Sequence, residues 1–117
     1  MSNIQRHQST KRLSRLVVHN DIVYVAGVTA GDTTADIAGQ TRDVLAKIEG
    51  YLASVGSDKE KLLSVQIWLK DIERDFDGMN VAWEDWISEH AVPTRATCEA
   101  KLARPELLVE IIVTAAL

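Results

Sequence analysis

The spacing of apolar positions changes repeatedly along this chain of 117 residues, and each change predicts an element. Two apolar runs, Leu16-Val17-Val18 and Ile22-Val23-Tyr24-Val25, are interrupted by His19-Asn20-Asp21. Asn and Asp tolerate left-handed backbone and bond to nearby amides, so the interruption predicts a hairpin turn flanked by strands. From Ile37 the period lengthens, and Ile37, Thr41, Val44, Leu45, Ile48, Leu52 and Val55 recur at helical spacing. Thr33 with Asp36 three residues on suits a capping box, and Gly56 is placed to end the helix. Leu62 to Leu69 alternates too little to have one wet face, which predicts a central strand covered on both sides. Phe76, Met79, Trp83 and Trp86 then mark the buried stripe of a second helix, with Glu84, Asp85 and Glu89 on the remainder and Pro93 preventing continuation. Two last strands, about 94 to 102 and 107 to 116, flank the turn Ala103-Arg104-Pro105-Glu106.

The order strand, strand, helix, strand, helix, strand, strand predicts a single α+β domain over residues 1–117, without repeats or linkers. Two helices cover one face of such a sheet. The other face carries apolar residues too, so it must meet something, and a chain this short gains from burial by oligomerisation.

Composition narrows the function classes. A net charge of -4 disfavours a dedicated nucleic-acid binder, whose affinity rests on clustered cations. The one basic group, Arg6, His7, Lys11, Arg12 and Arg15, reads as a solvated N-terminal stretch. No apolar run has the length of a membrane span and the first residues lack a signal-peptide core, so the expected location is the cytoplasm, with no membrane partner. The single cysteine, Cys98, can form neither an internal disulfide nor a thiolate metal site, and reads as a buried inert thiol.

Candidate chemistry concentrates after Pro93. Alternation along Thr94-Arg95-Ala96-Thr97-Cys98-Glu99-Ala100 places Arg95, Thr97 and Glu99 on one face and Cys98 on the other. A guanidinium anchored on a strand offers a fixed fork of donors that matches a small carboxylate; the plain alternative is a polar face that meets water. His7, His19 and His90 fall on an N-terminal arm, a turn and a helix end, each reading as surface-exposed, and no metal or cofactor motif is present. Neither a glycine-rich phosphate loop nor a strand-turn-helix serine elbow occurs.

Several segments, taken in order, resemble the RidA/YjgF family of reactive-intermediate deaminases, most nearly its YoaB-like branch. They are Asn20-Asp21-Ile22-Val23-Tyr24-Val25-Ala26-Gly27, Asp36-Ile37-Ala38-Gly39-Gln40-Thr41, Phe76-Asp77-Gly78-Met79-Asn80, Pro93-Thr94-Arg95 and Val109-Glu110-Ile111. The resemblance implies a chorismate-mutase-like fold, a homotrimer with sheets inward around a barrel, and clefts between neighbouring subunits. It implies that Arg95 grips the carboxylate of a 2-imino or 2-enamino acid while a bound water attacks the C=N carbon, releasing ammonia and a 2-oxo acid. Phe76 and Asn80 match cleft-lining positions, and Leu13, Ala26, Gly27, Thr97 and Ile112 complete the implied pocket. Where deaminating members carry a tyrosine, a serine and a water-placing glutamate, this chain has Leu13, Ala26 and Ile112; Glu110 survives two residues earlier, farther along the barrel on the family pattern. Arg12, Ser14 and Thr97 are polar groups that could compensate. Two readings stay open, a deaminase and a non-catalytic carboxylate binder or chaperone-like relative. A third, endoribonuclease activity, is disfavoured by the acidic balance and by the absence of a His or Lys pair near Arg95.

Overall fold

The computed structural model describes residues 3–117. Six strands form one mixed sheet in the order β1-β2-β3-β6-β4-β5, where β1 is Gln5–Ser9, β2 Ser14–His19, β3 Ile22–Thr29, β4 Leu62–Leu69, β5 Thr94–Glu99 and β6 Val109–Ala116. Only β4 and β5 run parallel, and the crossover that such a pair requires is the helix between them. The turn between β2 and β3 has the expected left-handed residues, Asn20 at φ 51° and Asp21 at φ 64°. His19 belongs to β2 rather than to the turn.

Helix α1 spans Ile37–Ser54 and α2 spans Ile72–Trp86. Asp36 is the α1 cap, its carboxylate accepting from the Gly39 amide at 2.9 Å, while Thr33 lies outside the motif. Gly56, at φ +84°, turns the chain away beyond α1, in a conformation open to glycine without strain. Both helices lie on one face of the sheet. There Val44, Leu45, Ile48 and Leu52 of α1 and Met79 and Trp83 of α2 pack on Leu16, Val23, Val25, Val65, Ile67, Val109, Ile111 and Val113. Burying one such aliphatic side chain stabilises the fold by about 1.5–3 kcal/mol, so this single layer of contacts is the core.

Five features differ from the sequence expectation. Residues 5–9 form an edge strand rather than a solvated arm, because β2 supplies a backbone partner that a polar sequence can still use. Strand β4 alternates after all, with Val65, Ile67 and Leu69 buried and Ser64 and Gln66 exposed, so one of its faces is open in the single chain. On α2 the expected stripe holds at Met79, Trp83 and Trp86 but not at its first position: Asp75 is buried there, and Phe76 is 38% exposed. Arg74 makes that burial tolerable by gripping Asp75 through Nε at 3.0 Å and Nη2 at 2.9 Å. Helix α2 ends at Trp86, well before Pro93, where Lys59 donates to the Trp86 carbonyl. His90 therefore lies in the following turn, paired with Glu60 at 3.0 Å. Finally, the last two strands are shorter than expected, β5 stopping at Glu99 and β6 starting at Val109.

Candidate functional site

Two groups of candidate residues are found, on opposite faces of the sheet. The first is built on β5. Parallel pairing sets Arg95, Thr97 and Glu99 beside Val65, Ile67 and Leu69, whose side chains are buried against the helices. The three polar residues therefore face the helical layer, at the sheet edge where that layer ends. The Glu99 carboxylate accepts from the Ile72 amide at 3.1 Å, at the start of α2, and the Arg95 guanidinium lies over the Trp83 ring at 5.6 Å. These two contacts fix β5 antiparallel to α2 along its flank. Thr97 falls midway, level with the stretch of α2 that carries Phe76 and Asn80.

The Arg95 guanidinium is left without a charged partner. Among the described residues it has no ion pair, and none of its N–H groups is donated to a protein acceptor. Burial pulls its pKa below the ordinary arginine value, an effect that the nearby Glu84 charge opposes. The group stays charged, since arginine titrates far above neutrality, but part of its hydration is lost without a bound carboxylate in return. Beside it, the Thr97 hydroxyl is buried without a hydrogen-bond partner. A buried hydroxyl left unpaired costs about 1–3 kcal/mol, and an incoming ligand or a neighbouring chain would recover it. Trp83, which the sequence marked only as core, is thus also the platform under Arg95.

The second group surrounds a β-bulge. Between the pairs Val25 with Val113 and Val28 with Ile111, two residues of β3, Ala26 and Gly27, oppose the single Ile112 of β6. Ile112 is half-buried and points away from the helices, opposite in phase to the buried Ile111 and Val113. Arg15 donates to the Gly27 carbonyl at 2.6 Å and rests over the Tyr51 ring at 5.3 Å, which holds the bulged peptide in place. Leu13, 49% exposed, sits in the turn just before β2 on the same side of the bulge in sequence register. Arg12 is exposed, and the Ser14 hydroxyl is taken by Ser9 at 2.8 Å, so neither is an obvious substitute for the missing polar groups. Arg15 was not singled out as a site residue; a glycine inside a strand run was the signal that a bulge needing such support was near.

Within one chain, then, Arg95 and Thr97 lie on β5 along the flank of α2, the helix that carries Phe76 and Asn80, while Ala26, Gly27 and Ile112 meet at the bulge, with Leu13 in the turn before β2. Three strand steps separate β5 from β3, roughly 14 Å at the usual spacing, and the two groups look out from opposite faces. Cys98 does point away from Arg95, but it is exposed on the open face rather than buried, because nothing in a single chain covers that face. Tyr24, Val17, Trp68 and Ile112 are the apolar members of the same open face. Among the described residues no group of His, Cys, Asp or Glu is arranged to hold a metal ion, and no helix is long and apolar enough to cross a membrane.

The whole of this architecture has close counterparts. A family model described as Endoribonuclease L-PSP matches residues 3–117. The chain belongs to this family, the RidA/YjgF group. A RutC family protein of Haemophilus influenzae is 42% identical over 113 residues, covering 96% of this chain and 97% of that one. The RutC family protein YoaB of Escherichia coli K12 is 38% identical over 113 residues, covering 97% of both. A crystal structure of a YjgF family member from Neisseria meningitidis superposes with a TM-score of 0.94 at 39% identity, over 97% of this chain and 94% of that one. More distantly, a protein of Acinetobacter baylyi named 3-aminoacrylate deaminase RutC is 30% identical over 98 residues, 79% of this chain and 76% of that one. The RidA-like fold and the YoaB-like kinship are thereby established for this chain.

Proposed function

We propose that this RidA-family chain is a deaminase that hydrolyses small 2-imino or 2-enamino carboxylates at a pocket shared between two copies of itself. The observation that carries the reading is the division of the candidate residues into two half-sites on opposite faces of one sheet. Two faces that look away from each other cannot enclose one ligand within a chain. In a ring of copies joined head to tail, the Arg95 edge of one protomer can meet the bulge of the next. A homotrimer satisfies this and covers the open face with its Tyr24, Val17 and Trp68.

In such a pocket Arg95 holds the substrate carboxylate by two parallel N–H contacts, with Thr97 free to donate or accept beside it. Phe76 and Asn80 flank the remainder of the ligand. An imine carbon is already electrophilic, so holding it next to a water supplies most of the rate effect that the reaction requires. The name of the Acinetobacter baylyi relative, a 3-aminoacrylate deaminase, supports the substrate class, a small carboxylate bearing an enamine. A second reading is favoured by Ile112: with an aliphatic side chain opposite the bulge, the pocket could keep its carboxylate anchor and bind without turning over. Glu84 beside Arg95 and the net charge of -4 work against a polyanionic RNA substrate.

The test generates several 2-imino acids in situ with an amino-acid oxidase and follows ammonia release, on protein whose mass is measured by sedimentation equilibrium. The expected result is a particle of three chains that releases ammonia faster than spontaneous hydrolysis. Intact binding of 2-oxo carboxylates without any acceleration would favour the binder. A stable monomer at micromolar concentration would defeat the shared pocket.

A further inference from the structure

The basic residues near the start of the chain have no part in the pocket described above. Residues 1–20 carry Arg6, Lys11, Arg12 and Arg15 and no acid, so all 17 acids of the chain follow them. Arg15 is occupied at the bulge, where it donates to the Gly27 carbonyl. The other three are exposed, and among the described residues none of them is in an ion pair. Lys11 and Arg12 lie in the turn between β1 and β2, directly before Leu13. Thr10 fixes that turn: its hydroxyl oxygen accepts from the amides of Arg12 at 3.1 Å and Leu13 at 3.3 Å, and its own amide donates to the Leu13 carbonyl at 2.8 Å. Two free cations are thus held on a fixed turn beside the bulge half-site.

The other half-site carries the opposite charge. Glu73, Asp77 and Glu84 fall on α2 at i, i+4 and i+11, which places them on one stripe with Asn80. All three are exposed and, among the described residues, outside any ion pair. Glu84 is close enough to Arg95 for its charge to act on the guanidinium, so the stripe runs along the flank of α2 beside β5. Thr97, with its buried and unpartnered hydroxyl, lies on the same flank, an independent sign that another molecule covers it. Within one chain the two charged groups are out of reach of each other. Four strand steps separate β2 from β5, roughly 19 Å at the usual spacing, beyond the roughly 8–10 Å over which exposed charges act at ordinary salt.

We propose that the Lys11-Arg12 turn of one copy docks on the Glu73-Asp77-Glu84 stripe of the next, as an ionic latch at the rim of the shared pocket. This rests on the shared-pocket reading above and names the contact that fixes its direction. Exposed ion pairs contribute only about 0–1 kcal/mol each, so the latch adds little to the stability of the particle. Its effect is on which surfaces meet. Setting either patch against itself juxtaposes like charges, which is costly, whereas bringing the bulge to the Arg95 edge pairs opposite ones. Complementary potentials also speed the productive encounter over the wrong ones.

The rate at which the protein assembles on dilution from urea, followed by light scattering, reads the latch. For the wild type the rate should fall as salt rises from about 0.01 M to about 1 M, where the screening length drops from about 30 Å to about 3 Å. Self-repulsion from a net charge of -4 alone would give the opposite trend. Lys11→Glu with Arg12→Glu should slow assembly about tenfold at the low end and reverse the salt dependence, because salt then screens a repulsion. Asp77→Lys with Glu84→Lys should do the same, although it brings the net charge from -4 to neutrality, a change that by itself favours association. All four together restore opposite signs and should recover the wild-type rate and salt dependence. If the fourfold variant fails to fold, Lys11→Gln with Arg12→Gln carries the test and should abolish most of the salt dependence. Three results overturn the latch and leave the shared pocket standing: reversed variants that assemble at the wild-type rate, a folded fourfold variant no faster than its parents, or an unchanged salt dependence in the glutamine variant. A wild-type protein that stays monomeric overturns both.

Discussion

Arg95→Ala should abolish recognition of small 2-oxo carboxylates, weakening binding measured by calorimetry by about thirtyfold or more. The magnitude follows from losing a two-point charged contact, about 2–5 kcal/mol when one side of a desolvated pair is removed. Arg95→Lys should recover little of it, because an ammonium has neither the planar fork nor the flat face that rests on Trp83. Since Arg95 makes no ion pair and loses only its contact over the Trp83 ring, worth about 0.5–1 kcal/mol, the folded state should keep nearly all of its stability, and most of the loss should fall on the ligand. Full affinity in Arg95→Ala would place the pocket elsewhere.

The largest effect on the fold is expected at Gln40. Its side chain is wholly buried, and its amide nitrogen donates to the carbonyls of Glu106 at 3.0 Å, Ala35 at 3.3 Å and Thr33 at 3.4 Å. Its carbonyl accepts from the Leu108 amide at 2.9 Å. One residue of α1 thus ties the loop before its own helix to the entry of β6, the strand that carries Glu110 and Ile112. Gln40→Ala leaves those backbone groups unpaired in a dry site and opens a cavity, which together should cost about 3–5 kcal/mol in urea unfolding. A loss below about 1 kcal/mol would mean that the loops hold themselves.

Gln40 was visible in the sequence only as part of a matching segment, and that contrast recurs along the chain. The helices and the Asn20-Asp21 turn were legible because periodicity and left-handed backbone are local properties. Strand β1 was not, since Gln5-Arg6-His7-Gln8-Ser9 has no apolar side to announce it and is held by the backbone of β2. The phase of α2 was legible at Met79, Trp83 and Trp86 but not at its first turn, because an aspartate gripped by its neighbouring arginine can be buried while an adjacent phenylalanine is not. Alternation correctly turned Cys98 away from Arg95, but whether it is buried depends on a face that only another molecule covers. Arg95 could be identified from its strand; its remoteness from Leu13, Ala26, Gly27 and Ile112 required the strand order, which no local pattern encodes.

The most direct test of a pocket shared between copies mixes two inactive proteins. Arg95→Ala disables one half-site, and Leu13→Trp, placed in an exposed turn, fills the other; each alone should keep the mass of the wild-type particle and bind no 2-oxo carboxylate. Unfolded together in equal amounts and refolded, they should regain binding in about a quarter of the sites, those where an intact edge meets an intact bulge from the next chain. If all the pocket residues acted within a single chain, every site would carry one defect and no binding would return.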